Sequence, residues 1–165
     1  MKKIIAFILM AFVLGSVDSL ACKRDKAADE AMARKVAEAV TGGNFKIWVT
    51  SIHPSAGPTK SSLREYCITV KDGKADGRLP FIGTSHVPVF GSEDPAVILE
   101  QTPVEISTGT SGRKRKLEYH IDFKTEGTHD WNGEITIWEN GTASIRCISN
   151  SASSMSYNAE LEFCE

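Results

Sequence analysis

Three side chains suited to acid-base chemistry, Glu118, His120 and Asp122, recur at every second position of one alternating segment. Successive side chains of an extended strand point to opposite faces, so these three share a face, close enough for proton transfer or for contributing to a metal site. The intervening Leu117, Tyr119, Ile121 and Phe123 are bulky and apolar. They claim the core side, which leaves the polar trio on a solvated wall and predicts that it is chemically idle. The other histidines, His53, His86 and His129, are scattered without a spacing such as H-x-x-x-H that would hold zinc. No G-x-S-x-G elbow occurs, and Ser151 to Ser156 reads as a loop running into a strand. The expectation is no catalytic residue, no metal and no cofactor.

A second candidate is the apolar stretch Leu79-Pro80-Phe81-Ile82-Gly83. Proline fixes φ and glycine frees it, which suits a strand turning a corner; Leu79, Pro80, Phe81 and Gly83 would equally suit the mouth of a pocket. The remaining chemistry is carried by Cys22, Cys67, Cys147 and Cys164. None forms a C-x-x-C pair, which argues against a zinc ribbon or a thioredoxin-type motif.

Compartment decides what these thiols do. Lys2 and Lys3 precede the apolar run Ile4 to Leu14, followed by small and polar residues to Ser19. This is the pattern of a signal peptide over residues 1–21, and the run is shorter than the about 20 residues a membrane-spanning helix needs. Export places the chain in the periplasm or on the outer membrane, with secretion as the alternative. Ser19-Leu20-Ala21-Cys22 resembles a lipobox, making Cys22 the lipidation candidate and a lipid there the means of membrane attachment. Asp18 and Ser19 stand where lipoprotein signals are usually apolar, and Ser19 and Ala21 also suit an ordinary signal peptidase. In an oxidising compartment Cys67, Cys147 and Cys164 are disulfide candidates whose pairing stays open; lipidating Cys22 leaves an odd number.

The chain of 165 residues is 41% hydrophobic and 24% charged, which suits one folded domain and disfavours disorder. A formal net charge of -2 lacks the basic excess that phosphate neutralisation demands, so no nucleic-acid partner is expected. The basic run Arg113-Lys114-Arg115-Lys116 reads as a solvated hairpin end.

Ala28, Met32, Val36 and Val40 recur every four residues, predicting an amphipathic helix from Asp25 to Val40 that docks on a sheet face through Met32 and its stripe. Helix and linker occupy residues 22–43, ending at Gly42-Gly43. Residues 44–165 alternate with period two, as half-buried antiparallel strands do. Val97 to Leu99 and Val104 to Thr108 read as two weaker strands parted by Thr102-Pro103. Asp72-Gly73 suits a tight hairpin, and Asn140-Gly141 predicts a type I′ turn with positive φ at both residues. Trp48 and Trp138, opposite the aliphatic faces of their strands, are expected beneath the helix. The fold class is mainly β, an antiparallel meander of about eight or nine strands forming a barrel or flattened sandwich behind one N-terminal helix.

Gly43-Asn44-Phe45, Tyr66-x-Ile68-x-Val70, Leu79-Pro80-Phe81-x-Gly83 with Pro88 downstream, Asn140-Gly141-x-Ala143-x-Ile145 and Ser156-Tyr157-Asn158-Ala159 occur in order. The set resembles the exported bacterial family known as domain of unknown function 4251, over nearly all of the chain after the leader. The resemblance implies a lipocalin-like antiparallel barrel in envelope proteins of gut-type Gram-negative bacteria, and brings no activity or catalytic residues. Phe81-Ile82 and Val89 stand where the family usually has further aromatics, which weakens any aromatic ligand surface there. The resulting expectation is a non-enzymatic, exported envelope module that binds a protein or small molecule or supports an assembly. Its rivals are a hydrolase with a carboxylate-histidine site on the Leu117–Phe123 strand and a carrier of an apolar ligand inside the barrel.

Overall fold

The computed structural model describes residues 17–62, 64–86, 96–112, 116–126 and 130–163, with the side chains of residues 17–25 outside the description. Helix α1 (Val17–Thr41) leads into β1 (Asn44–Pro54), β2 (Lys60–Ser61), β3 (Cys67–Lys71), β4 (Lys74–Pro80) and β5 (Ala96–Ser111). The chain then forms β6 (Lys116–Lys124), β7 (Trp131–Trp138), β8 (Thr142–Ser149) and β9 (Met155–Phe163). Strands β1 and β3 to β9 pair antiparallel in sequence order, and β9 returns to β1, so eight strands close a barrel. The short β2 continues the row of β3 along β1, pairing with Ser51 and Ile52.

Alternation builds the interior. Phe45, Ile47 and Val49 of β1, Tyr119, Ile121 and Phe123 of β6, and Tyr157 of β9 point inward and join one buried cluster with residues from the other barrel strands. Burial of each such side chain is worth about 1.5–3 kcal/mol, so the meander closes to hide its apolar face.

One strand departs from the expected pair. Residues 96–111 form a single bent β5, whose first half pairs with β4 and whose second half pairs with β6. The change of partner falls at Pro103, opposite Lys74, and Val104, opposite Phe123. Just before it Gln101 takes φ 50°, and its backbone N–H donates to Asp76 Oδ1 at 2.7 Å while the register against β4 slips between Ala75 and Gly77. A bulge with a carboxylate to satisfy its freed amide bends the strand without ending it.

The two glycine hairpins differ. Asp72 and Gly73 have φ of 51° and 74° between the paired Lys71 and Lys74, as a two-residue type I′ turn requires. At Asn140-Gly141 only Gly141 has positive φ, 81°, and its N–H donates to Trp138 O at 2.9 Å. The type I′ expectation is corrected: Glu139 and Asn140 form the turn centre and Gly141 is the left-handed bulge residue after it. The additional loop residue, Glu139, makes the difference.

Helix α1 starts at Val17, earlier than the expected Asp25. It packs against β1 and β9, and its Val36 and Val40 are fully buried within the cluster that fills the barrel. The helix thus closes the end of the barrel where β1 begins and β9 finishes, instead of lying on an outer sheet face. Met32, expected at the contact, is 39% exposed beside the Gly141 turn. Trp48 and Trp138 stand half-buried on the outer wall, where neighbouring carboxylates satisfy them: Trp48 Nε1 donates to Glu162, and Trp138 Nε1 to Glu118 Oε2 at 3.1 Å. Lys46 Nζ lies 5.5 Å from the Trp48 ring centroid, a cation–π distance.

Val36→Ala should accordingly cost about 1–3 kcal/mol through lost burial and an imperfectly filled cavity. Met32→Asp should change stability by less than about 0.5 kcal/mol, as exposed substitutions do. Urea unfolding of the two variants checks this, and a larger loss at Met32 would move the helix contact back to the expected stripe.

Candidate functional site

Strand β6 carries Glu118 and His120 on its outer face, and β7 brings Glu134 beside them, because Asp122 pairs with Glu134 and His120 with Thr136 in the ladder. His120 Nδ1 lies 3.0 Å from Glu134 Oε1, and His120 Nε2 lies 3.4 Å from Glu118 Oε1. The imidazole is 27% exposed and rests over Gly109 of β5, where a Cβ would come within 3.0 Å of Nε2. With Trp138 on Glu118, the four side chains form one chain of polar contacts along the wall. Asp122 is exposed and takes no part in these contacts. The imidazole thus bridges two carboxylates on the outer wall, one from its own strand and one from β7. Among the described residues no group of His, Cys, Asp and Glu is arranged to hold a metal ion.

His53 is held differently. Its Nε2 lies 2.9 Å from Ser51 Oγ, two positions back on β1, and its Nδ1 lies 3.0 Å from Thr59 Oγ1, just before β2. The ring therefore ties the β1–β2 connection back to β1. His86 N donates to Ser151 O at 2.8 Å, and His129 lies outside the described residues.

The Leu79–Gly83 stretch closes the other end of the barrel. Tyr157 Oη, deep in the core, donates to Pro80 O at 2.8 Å, and Leu79 is fully buried. Phe81 packs on Trp131 with ring centroids 5.5 Å apart and tilted by 55°. Gly83 passes so near Phe81 and Ser153 that a Cβ would meet both at 2.9 Å. Ser85 then bridges to Ala152, and Ser153 N donates to Thr84 O at 3.0 Å. Corner and mouth are one feature: the segment leaves β4, turns, and plugs the opening with its own Phe81.

Cys67 and Cys147 are both free thiols on opposite sides of the wall, Cys67 half-exposed and Cys147 buried among the core residues. A bridge between them is therefore not formed. Cys164 and the Cys22 side chain lie outside the described residues, as do Pro88, Val89 and Arg113 to Arg115. Burial pushes the Cys147 thiol up to about 12. At pH 8 the folded protein therefore keeps Cys147 as the unreactive thiol. Iodoacetamide should modify Cys67 in the folded protein and reach Cys147 only after unfolding; peptide mapping checks the order, and early labelling of Cys147 would contradict its enclosure.

A feature outside the sequence reading is an open groove of about 1120 Å3 on the outer wall. It lies where the first half of β5 parts from β6, and it runs across the outer faces of β7 and β8. Ile98 and Ile148, 40% and 43% exposed, supply apolar surface within it. Glu100, Glu105, Asp122, Glu126 and Glu134 line it against the two cations Lys124 and Arg146, so the groove is acidic. Glu134 belongs to both the groove and the His120 array. Ile98 and Ile148 are far apart in sequence, and that they meet across the bend of β5 depends on the register.

These features define a class: a closed up-and-down barrel of the lipocalin type, filled by its own side chains, with its polar features on the outer wall. The profile of the family described as domain of unknown function DUF4251 matches residues 27–161, and the chain belongs to that family. A crystal structure of a DUF4251 family protein from Bacteroides eggerthii is similar, with 16% sequence identity and a TM-score of 0.56. The match covers 83% of this chain and 91% of that one, a likeness of fold. No curated protein matches the sequence.

Proposed function

We propose that the protein is an exported cell-envelope module that acts by binding at its outer wall and carries out no chemical reaction. In this reading residues 1–21 are removed, the mature chain begins at Cys22, and acylation of that residue holds it to a membrane. The observation that carries the binding role is the contrast between inside and outside. The interior is occupied by Phe45, Ile121, Ile137 and Tyr157 and stoppered at its two ends by Val36 and Phe81, whereas the acidic groove is open. Ligand sites are concave with some apolar lining, and the groove has both properties. Both ring nitrogens of His120 face carboxylates, so neither stands beside a hydroxyl or thiol that it could activate.

Intact-mass analysis of the native protein from the envelope fraction tests the export and anchoring. The expected mass is that of a chain beginning at Cys22 with acyl chains added. An unprocessed Met1 chain would overturn export, and an unmodified Cys22 would overturn the anchor. An apolar fluorescent probe tests the site of binding: quantitative uptake into the interior of the folded barrel would return the carrier reading to first place.

A further inference from the structure

The bend of β5 leaves a strand edge beside the groove. Residues Ala96 to Pro103 pair with β4 on one side, and the ladder with β6 begins only at Val104. In an antiparallel strand alternate backbone groups point to each side, so between Ala96 and Glu100 a row of N–H and C=O groups turns away from β4 toward the groove, the Glu100 N–H alone being already held by Thr102 Oγ1 at 3.2 Å. Among the described residues no strand pairs with this edge. Its five residues span about 17 Å, the length of a short added strand. Natural sheets blunt their edges with charge or cover, and here the neighbouring surface is carboxylate-rich and also offers Ile98 and Ile148.

We propose that this edge receives a short extended segment of a basic partner polypeptide, added as a strand along Ala96–Glu100. The proposal rests on the reading of the protein as a binding module and names the class of its partner. Main-chain hydrogen bonds to the β5 edge supply affinity, as in other strand-addition complexes. Specificity comes from the groove. Lysine or arginine side chains on one face of the incoming strand meet Glu100, Glu126 and Asp122, and their alkyl stems rest on Ile98 and Ile148. The same acidity opposes the alternative occupant, the β5 edge of a second copy, because two like-charged grooves would be brought together.

The test is fluorescence anisotropy of labelled peptides with the native protein. The probes are an alternating lysine–valine heptapeptide, its glutamate–valine counterpart, and the lysine peptide with alternate backbone nitrogens methylated. The lysine peptide should bind, the glutamate peptide should bind at least about tenfold more weakly, and methylation, which removes ladder donors, should cost about tenfold. Glu100→Lys combined with Glu126→Lys should weaken lysine-peptide binding about tenfold. Both positions are exposed, and a thermal melt verifies that this variant folds. Amide exchange at residues 96–100 should slow on binding. No binding of the lysine peptide, equal binding of the two charge types, indifference to methylation, or unchanged exchange at 96–100 would each overturn the proposal. Such a failure leaves the export reading to its own intact-mass test, so the two fall separately.

Discussion

Gly77→Val should destabilise the protein by about 3 kcal/mol or more, among the largest effects of any single substitution in the barrel wall. The reason is contact. A Cβ at residue 77 would lie 2.5 Å from Cys67 O and 3.0 Å from Ile68 Cα, both backbone atoms of the paired strand β3. Neither can swing aside as a side-chain tip can, so β3 and β4 must separate where they also hold Val70 against Ala75. The residue sits next to the register slip between Ala75 and Gly77, where β4 follows the bend of β5. Gly77→Ala should already cost about 1–3 kcal/mol. Gly73→Ala is the control, since nothing lies within 4 Å of a Cβ there and the φ of 74° alone is unfavourable, worth about 1–2 kcal/mol. Urea unfolding of the three variants should rank them in that order, and a Gly77→Val protein as stable as Gly73→Ala would show that β3 and β4 have room that their separation does not provide.

The contrast between these glycines marks what a sequence can and cannot disclose. Asp72-Gly73 is read from neighbours alone, because the turn is local and both residues carry their own φ preference. Gly77 has no such signature: the strand partner that excludes a side chain is Cys67–Ile68, and only the register puts it there. The same division runs through the candidate site. Alternation placed Glu118 and His120 on the outer wall and Tyr119 and Ile121 within, as the barrel has them. Glu134 was missed because it is distant in sequence and joins His120 through the β6–β7 ladder. A register count outward from the β6–β7 connection would have found it. Met32 was misplaced for another reason: a four-residue repeat on a slender alanine-rich helix tells which residues share a stripe, and the depth of insertion into the barrel end, which favours Val36 and Val40, is a tertiary property. The bend of β5 was invisible because Pro103 is a strand breaker in isolation. In the barrel it occupies the position where β5 changes partners.

Above about pH 9 the protein should lose stability steeply, and Cys147 should be the principal cause. Burial raises this thiol from 9.0 to about 12 in the folded state. Between those values the unfolded chain gives up the proton while the folded chain keeps it, so unfolding is favoured by about 1.4 kcal/mol for each pH unit. Stability is fully present below pH 9 and falls as pH rises toward 12, which amounts to about 2–3 kcal/mol by pH 11. Tyr157 adds to the slope from about pH 10. Burial raises its phenol, and a Cys147 thiolate nearby would raise it further. The two groups therefore oppose each other's ionisation inside the barrel, and the Tyr157 hydroxyl must keep its proton to donate to Pro80 O in the strap that plugs the mouth. Alkali should open this end of the barrel as well as lower global stability. The measurement is urea unfolding of the parent and of Cys147→Ala at pH 8, 9.5 and 11 under reducing conditions. Cys147→Ala should be less stable at pH 8, having lost a buried side chain, yet decline more gently from pH 9 to 11, so that the two stabilities converge. Parallel declines would mean that the thiol titrates alike in both states, and that the barrel interior admits water where Cys147, Tyr157 and Met155 pack.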